Sequence, residues 1–453
     1  MISRTSILVL LVVLMLVALY WLPDIKIGDS ELRKVDVFSD LRMDEAEDSL
    51  LADTLFPVNL KPVFVDSCKT GLTCIEDYSD STNRGMVHFY EALLQHDTLP
   101  RPVRIAYVGD SFIEGDILTA HLRSLLQQRF GGQGVGLVDI TSPIHGFRTT
   151  VLHAFSGWDS HAFNDSTGFD RKLQGFNGRY FIPYKGAYIE LGRGSSGLPC
   201  LDCCQMSTLY FKCDESLPIE VRISGNPSSH FVAEGMATLQ SKSVKGNISR
   251  VRWILSPENY GSVICYAVAM DGLTGVSVDN ISMRGSGGLH LRTVPRNHLQ
   301  EFAHLRPYDL IVLQFGLNVA TQRGVNYDGY YKGMLQVVDY LKEMFPESGI
   351  LIVGVGDRAY RDNKGELRTM LGVKNLIRYQ QRLAADTKVA FWNLYEAMGG
   401  EGSMPALVEE KKANYDYTHI NFKGGEHLAG ILYETLVYGL EQYERRKLYE
   451  TAE

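Results

Sequence analysis

The 453 residues of this chain, 45% of them apolar, are more than one hydrophobic core usually organises, so two compact units are expected. The formal charge of −8 lacks the basic excess that draws proteins to phosphate backbones. This charge argues against nucleic acid as a partner.

The chain begins with a segment suited to a membrane, because Arg4 is followed by an uninterrupted apolar run over residues 7–22. A helix of about 17 to 20 residues crosses the hydrocarbon layer, so the 18 uncharged residues 5–22 are just long enough. We predict that residues 1–23 form an uncleaved single-pass anchor, with Arg4 in the cytoplasm and the chain after Asp24 outside it. The alternatives are a cleaved signal peptide, for which small residues at the usual spacing are missing, and a buried helix of a soluble protein.

Residues 24–83 are acidic and polar and show little periodicity, which predicts a tether that can contain one short ordered piece. In the next segment, 84–136, a helical pattern over 86–95 precedes a β-rich run over 104–108. A tight turn and a second helical pattern follow. This order of strand, turn and helix predicts the first part of an α/β domain.

Residues 137–276 differ from their surroundings, since they are rich in glycine, serine, aromatics and short alternating runs such as TLYFKC, IEVRI and ICYAVAM. We predict a β-sandwich inserted into the α/β chain. From 277 to 445 the alternation resumes, and it predicts a parallel sheet covered on both faces, a three-layer α/β/α architecture. The predicted strands are 310–314, 350–355 and 390–392, and the predicted helices are 327–344, 371–385 and 425–443.

Seven cysteines are present, and outside the cytoplasm they can form disulfides. Cys68 and Cys74 flank a short loop and could close it, but the sequence does not determine the connectivity of the others. The run from Cys200 to Cys204 resembles a metal knuckle only superficially, because no second cysteine or histidine pair lies at zinc-finger spacing. We therefore predict no metal site.

The residues with catalytic chemistry lie near opposite ends of the α/β chain. Ser111, in a Gly-Asp-Ser run, sits where a parallel strand ends and a helix begins, the place where open α/β sheets bind their ligands. A serine hydroxyl needs a histidine base oriented by a carboxylate to act as a nucleophile at neutral pH. His419 and Asp416 lie within one turn of chain just before the last amphipathic stretch, so we predict that they activate Ser111.

Acyl transfer also needs hydrogen-bond donors for the developing oxyanion. Three candidates are the backbone amide of Ser111, the amide of Gly285 in SMRGSGG, and the side-chain amide of Asn318 after a predicted strand. Simpler explanations exist for single residues: Asp110 and Ser111 can cap a helix, and Asn318 can cap a loop. Those explanations account for one motif each and not for all of them together.

Gly-Asp-Ser, a later glycine, Gly-x-Asn and Asp-x-x-His, in this order over residues 100–445, resemble the signature blocks of the SGNH/GDSL hydrolases. The resemblance implies that Ser111 is the nucleophile, His419 its base and Asp416 the orienting acid, with Ser111, Gly285 and Asn318 as the oxyanion hole. The first block reads GDSF instead of GDSL, which does not touch the catalytic atoms. With its long β-rich insertion, the chain resembles the periplasmic peptidoglycan O-acetylesterases of Gram-negative bacteria, which carry a carbohydrate-binding-like β module.

This resemblance implies a serine-dependent O-acetylesterase that removes acetyl groups from peptidoglycan or another polysaccharide, without a cofactor. The enzyme would be held in the inner membrane by its anchor, with the catalytic part in the periplasm. One alternative is an O-acetyltransferase that passes the acetyl group to a sugar hydroxyl and works with a membrane partner in acetyl transfer. The other is a non-catalytic polysaccharide-binding protein. Two tryptophans of the insert, Trp158 and Trp253, have two possible roles: they stack on sugar rings, or they belong to the hydrophobic core.

Overall fold

The computed structural model describes residues 26–27, 30–31, 68–80, 85–165 and 167–451. The predicted membrane anchor, residues 1–23, lies outside the described residues. Among the helices that are described, none combines the length and apolar character needed to cross a bilayer. The chain divides into two units, 1–65 and 66–453. In the first, the described residues form one antiparallel pair in which Lys26 faces Glu31.

The described strands are, in chain order, β1 Lys26–Ile27, β2 Ser30–Glu31, β3 Glu76–Asp77, β4 Val103–Gly109, β5 Gly136–Asp139, β6 Val151–Ala162, β7 Arg179–Arg193, β8 Cys204–Cys213, β9 Leu217–Ile223, β10 Ser229–Ala233, β11 Met236–Ile248, β12 Arg250–Leu255, β13 Val263–Asp271, β14 Val276–Ser282, β15 Leu310–Gln314, β16 Gly349–Val353, β17 Ala359–Arg361, β18 Leu367–Thr369 and β19 Ala390–Trp392. The described α-helices are α1 Val87–Leu94, α2 Thr119–Phe130, α3 Arg296–Leu305, α4 Asp328–Met344, α5 Leu371–Thr387, α6 Leu394–Ala397, α7 Ser403–Glu409 and α8 Phe422–Thr451.

The second unit contains a mainly parallel sheet of order β14-β4-β15-β16-β19-β3, in which only β3 runs antiparallel to its neighbour. Every residue of β4, β15, β16 and β19 is buried. Because successive side chains point to opposite faces, both faces of these strands are covered. The helices pack in two groups, α1 and α2 against α8, and α3 and α5 against α4. The predicted α/β architecture and its predicted strands and helices are confirmed.

Residues 68–80, which lie within the predicted tether of 24–83, form an ordered piece of this folded unit. The backbone of Glu76 and Asp77 pairs with β19 at the sheet edge. The carbonyl of Thr73 accepts hydrogen bonds from Trp392 Nε1 at 2.9 Å and Thr435 Oγ1 at 3.1 Å. A two-residue edge strand is held by backbone bonds and leaves no apolar pattern in the sequence, which is why the position of this piece was not predicted. Cys68 and Cys74 form a disulfide, whereas Cys200, Cys203, Cys204, Cys213 and Cys265 are free thiols.

The β-rich module comprises β5 to β13, and its nine strands form one hydrogen-bonded sheet. Two sets of strands, β6-β7-β12-β9-β10 and β5-β13-β8-β11, are joined where Cys265 pairs with Phe181. Strands β12 and β8 are three places apart, about 14 Å in a flat sheet, yet Trp253 Nε1 on β12 donates to Ser207 Oγ on β8 at 3.1 Å. The sheet therefore folds over on itself. The predicted sandwich is one bent sheet, and Trp253, fully buried, is a core residue and not a sugar platform.

A buried charge cluster joins the module to the parallel sheet. Arg306, which follows α3, donates to Asp271 at the end of β13 and to Asp279 on β14. Tyr308 also donates to Asp279, at 2.6 Å. Burial opposes ionisation of Asp271, but Arg306 outweighs it and holds the pKa of this carboxyl below its ordinary value. The two regions therefore share an interior that neither could complete alone.

Candidate active site

Ser111 lies just beyond the carboxyl end of β4, a central strand of the parallel sheet. Its Oγ is 2.9 Å from His419 Nε2, and His419 Nδ1 is 2.8 Å from Asp416 Oδ2. The three predicted residues are therefore connected in the order that a serine nucleophile requires. Side-chain exposures of 38% for His419 and 47% for Asp416 leave the imidazole accessible to a substrate.

The loop before α8 holds the histidine and the aspartate in place. Asp416 Oδ1 accepts hydrogen bonds from the backbone amides of Thr418 and His419, at 2.9 and 3.0 Å. The amide of Asn414 donates to the carbonyl of His419 at 2.8 Å and closes the loop. Partial burial tends to raise the pKa of Asp416, but the amide and ring of His419 and the amide of Thr418 outweigh it and lower that pKa. Asp416 is therefore an anion suited to orienting His419.

Gly285 and Asn318 arrive on the loops that follow β14 and β15, the two neighbours of β4. Both residues, with Ser111 and His419, line one cavity of about 460 Å³. Asn318 Nδ2 donates to the carbonyl of Ser286 at 3.0 Å, and its contact with Asp110 Oδ2 is 3.5 Å, long for a hydrogen bond. The second N–H of this amide is therefore only weakly engaged by Asp110. The structure brings all five predicted site residues together.

Asp110 has a larger part in the site than the helix cap expected from the sequence. Its carboxyl is 1% exposed and accepts a hydrogen bond from the amide of Phe112 at 3.0 Å. Desolvation by burial raises its pKa to about 6, against the opposing effect of backbone hydrogen bonds and of His419. A buried carboxyl thus lies directly beneath the nucleophile and beside Asn318.

Two acidic residues after Ser111 are engaged in ion pairs. Glu114 is bound by both the Nε and an Nη of Arg284, the residue before Gly285. Asp116 is buried between Arg123 of α2 and Arg148 of the β module. Burial disfavours its charge, but the two guanidinium groups outweigh that effect and lower its pKa. The ion pairs fix the loops on either side of the nucleophile.

The module also supplies a wall of the cavity. Phe147, in the loop between β5 and β6, packs against Phe422 with the ring centroids 5.1 Å apart, and both line the cavity. The loop approaches Gly115 so closely that a Cβ there would meet the ring of Phe147 at 2.5 Å. Gly115 also has a φ of +64°, which only glycine adopts readily. No local pattern around Phe147 points to this role, because it depends on packing between distant segments.

Arg358 is a further residue that the sequence did not reveal. Its Nε donates to Thr418 Oγ1 at 3.1 Å, and its Nη1 donates to the carbonyl of Leu317 at 2.9 Å. The two acceptors are the neighbours of His419 and Asn318. One guanidinium therefore ties the loop of the base to the loop of the amide donor.

No protein-family model and no curated protein sequence matches the chain. A solved peptidoglycan O-acetylesterase superposes with a TM-score of 0.66 at 22% identity, over 81% of this chain and 99% of that one. This chain has the same fold. The predicted resemblance is thereby confirmed at the level of the fold.

Two carbohydrate esterases of family two also match. The protein from Cellvibrio japonicus is 11% identical over 67% of this chain and 98% of its own, with a TM-score of 0.25. The protein from Clostridium thermocellum, solved in complex with cellohexaose, is 12% identical over 64% of this chain and 99% of its own, with a TM-score of 0.28. Scores this low add nothing to the assignment of the fold.

Proposed function

We propose that the chain is a serine-dependent carbohydrate O-acetylesterase that removes O-acetyl groups from peptidoglycan or a related polysaccharide. The observation on which this rests is the hydrogen-bonded series from Ser111 through His419 to Asp416 at the wall of an open cavity. The shared fold with a peptidoglycan O-acetylesterase supports the choice of substrate.

The reaction follows from the geometry in two halves. In the first, His419 Nε2 takes the proton of Ser111 as Oγ attacks the acetyl carbonyl carbon. The amides of Ser111, Gly285 and Asn318 then stabilise the oxyanion. His419 returns the proton to the departing sugar oxygen, and the acetyl group remains on Ser111.

In the second half, water enters the cavity and His419 takes one of its protons. The resulting hydroxide attacks the acetyl carbonyl carbon, the bond from that carbon to Ser111 Oγ breaks as His419 returns the proton to Oγ, and acetic acid leaves. The balance is one ester and one water giving one sugar hydroxyl and one acetic acid. Asp416 stabilises the imidazolium that forms in each half.

The placement in the cell is part of the same proposal. Residues 1–23 would anchor the protein in the inner membrane, with the catalytic unit in the periplasm, where acetylated peptidoglycan is its partner. The length and apolar character of residues 7–22 support an anchor. Digestion of the catalytic unit by protease added to spheroplasts tests this placement.

Labelling with a fluorophosphonate tests the nucleophile. We expect the full chain to be labelled, to hydrolyse 4-nitrophenyl acetate and to release acetate from O-acetylated sacculi, measured by mass spectrometry. Ser111→Ala should lose all three, because among the described residues only the hydroxyl of Ser111 is hydrogen-bonded to the imidazole of His419. Ser241→Ala, an exposed serine on β11, is the matched control and should behave as wild type.

Three other results would contradict the proposal. A wild-type chain that is neither labelled nor active would point to a non-catalytic polysaccharide-binding protein. Labelling that persists in Ser111→Ala would place the nucleophile elsewhere. Transfer of acetyl to an added chito-oligosaccharide in preference to water would make the protein an O-acetyltransferase.

A further inference from the structure

A second cavity, of about 670 Å³, lies beside the catalytic one. It is formed mostly by the β module, namely the loop after β5 and the far end of β6. Glu114 and Arg284 line both cavities. Because these two residues are shared, a molecule long enough to leave the catalytic cavity on this side enters the second one.

The boundary between the cavities is close to the reacting atoms. The side chain of Arg284 is 67% exposed and that of Glu114 is 10% exposed, and they form an ion pair. Arg284 directly precedes Gly285, and Glu114 lies three residues after Ser111. A ligand in the second cavity therefore lies against the residue that precedes a predicted oxyanion donor.

The walls of the second cavity combine hydroxyls with aromatic rings. Thr141 Oγ1 and Ser160 Oγ are hydrogen-bonded to each other at 2.8 Å. The rings of His145 and Phe155 pack edge to face, with their centroids 5.2 Å apart. Sugar rings present hydroxyls at their edges and C–H groups on their faces, so they match walls of this kind.

The two guanidinium groups at this cavity are already paired with carboxylates. Arg179 Nη1 lies 2.6 Å from Asp139, and Arg284 is paired with Glu114. Asp165 accepts a hydrogen bond from the amide of Ala162 at 2.7 Å, which fixes the rim. A neutral ligand would displace none of these pairs, whereas a charged ligand would compete with them. The cavity thus favours an uncharged sugar unit.

We propose that the second cavity binds a sugar unit next to the acetylated one, so that the protein acts on glycan chains of two or more units. The inference rests on the proposed esterase function and deepens it. The volume lies within the range of about 300 to 1,000 Å³ usual for small-molecule sites. The β module thereby contributes directly to substrate selection.

The test compares substrates of increasing length on the full chain. The substrates are 4-nitrophenyl acetate and O-acetylated N-acetylglucosamine as monomer, dimer and trimer, and the measured quantity is kcat/KM. We expect kcat/KM to rise by about tenfold or more from monomer to trimer, which corresponds to about 1.4 kcal/mol of added binding. Ala162→Trp, which fills the second cavity, should reduce this gain to about twofold or less.

Lys245→Trp, at an exposed position on β11, is the matched control and should keep the full gain. Thermal unfolding identifies any variant that does not fold. The comparison of substrate lengths on wild type is independent of the variants. The inference is wrong if the wild type shows no gain with length, or if a folded Ala162→Trp variant keeps it. Wild type that hydrolyses no ester, 4-nitrophenyl acetate included, would instead overturn the proposed function on which the inference rests.

Discussion

The parallel sheet and the β module differ in how their strands are buried. Each residue of β15 and β16 is buried, while β9 and β12 alternate between buried and partly exposed positions. A strand buried on both faces ends at an edge where loops from neighbouring strands meet, and the site residues lie on such loops. In the module, β13 is also buried throughout, but β9 and β12 present one face to the core. The module contributes to the site through the loop between β5 and β6, which forms a cavity wall.

This difference shows that the reacting groups and the residues that shape the cavity around them come from different regions of the fold. Ser111, Gly285 and Asn318 follow three adjacent parallel strands, β4, β14 and β15. Phe147 and Arg148 reach the same place from the module, where Arg148 Nε is 2.8 Å from Asp116 Oδ2. One region provides the reacting groups, and the other shapes and supports the cavity around them.

The link between the two regions is the place where the largest effect on stability is expected. Arg306→Met removes the cation between Asp271 and Asp279 and leaves two buried carboxylates without their partner. We expect the free energy of unfolding to fall by about 3–5 kcal/mol, as measured by urea denaturation. Arg222→Met, which removes an exposed partner of Glu220 on the module, is the control and should change little. A loss below about 1 kcal/mol for Arg306→Met would mean that the regions are held together by other contacts.

The assignment of the chemistry to the parallel sheet is tested by Asn318→Ala. Loss of this amide should lower kcat for 4-nitrophenyl acetate by about 100- to 1,000-fold, because one oxyanion donor is worth about that much. Asn326→Ala changes the same residue type further along the loop, where its Oδ1 accepts from the amide of Asp328, and serves as the control. If kcat for Asn318→Ala stayed within about fivefold of wild type, this amide would not be part of the oxyanion hole.

A smaller effect, dependent on pH, is expected at Asp110. Its pKa in the folded protein is about 6, above the ordinary value of 3.8, so the stability contributed by its protonated form is present below pH 3.8 and is lost as the pH rises through 6. The shift corresponds to about 3 kcal/mol above pH 7. Asp110→Asn, which carries no charge, should therefore gain about 2 kcal/mol in free energy of unfolding relative to wild type between pH 4.5 and pH 8.

Urea denaturation at both pH values measures this gain. Glu258→Gln, at an exposed position of the module, is the control and should follow wild type at both. An Asp110→Asn variant whose stability differs from wild type by the same amount at pH 4.5 and pH 8 would contradict the proposed burial of charge beneath the nucleophile. In that case the stability contributed by Asp110 in the sheet region would depend on pH no more than that of the module residue Glu258.

The site was predictable where its residues have a local signature. Asp416 and His419 are three positions apart, and Ser111 lies in a Gly-Asp-Ser turn after an apolar strand, so residue type and position point to a role. Glu114 and Arg284, by contrast, are separated by 170 positions, and each alone is an ordinary surface residue in sequence. Arg358 is equally inconspicuous, because its role depends on the two groups that it joins, the hydroxyl of Thr418 and the carbonyl of Leu317.

The amino-acid sequence by itself determined the α/β alternation, the β-rich insertion and the five residues of the candidate site, because burial on both faces and turns at strand ends leave local patterns. Only the tertiary structure decided the short edge strand at residues 76–77, the folding of nine strands into one bent sheet, and the cavity walls that the module provides. These features come from backbone pairing and from charges buried between distant segments. Such contacts form between residues that are distant in sequence, so no local sequence pattern predicts them.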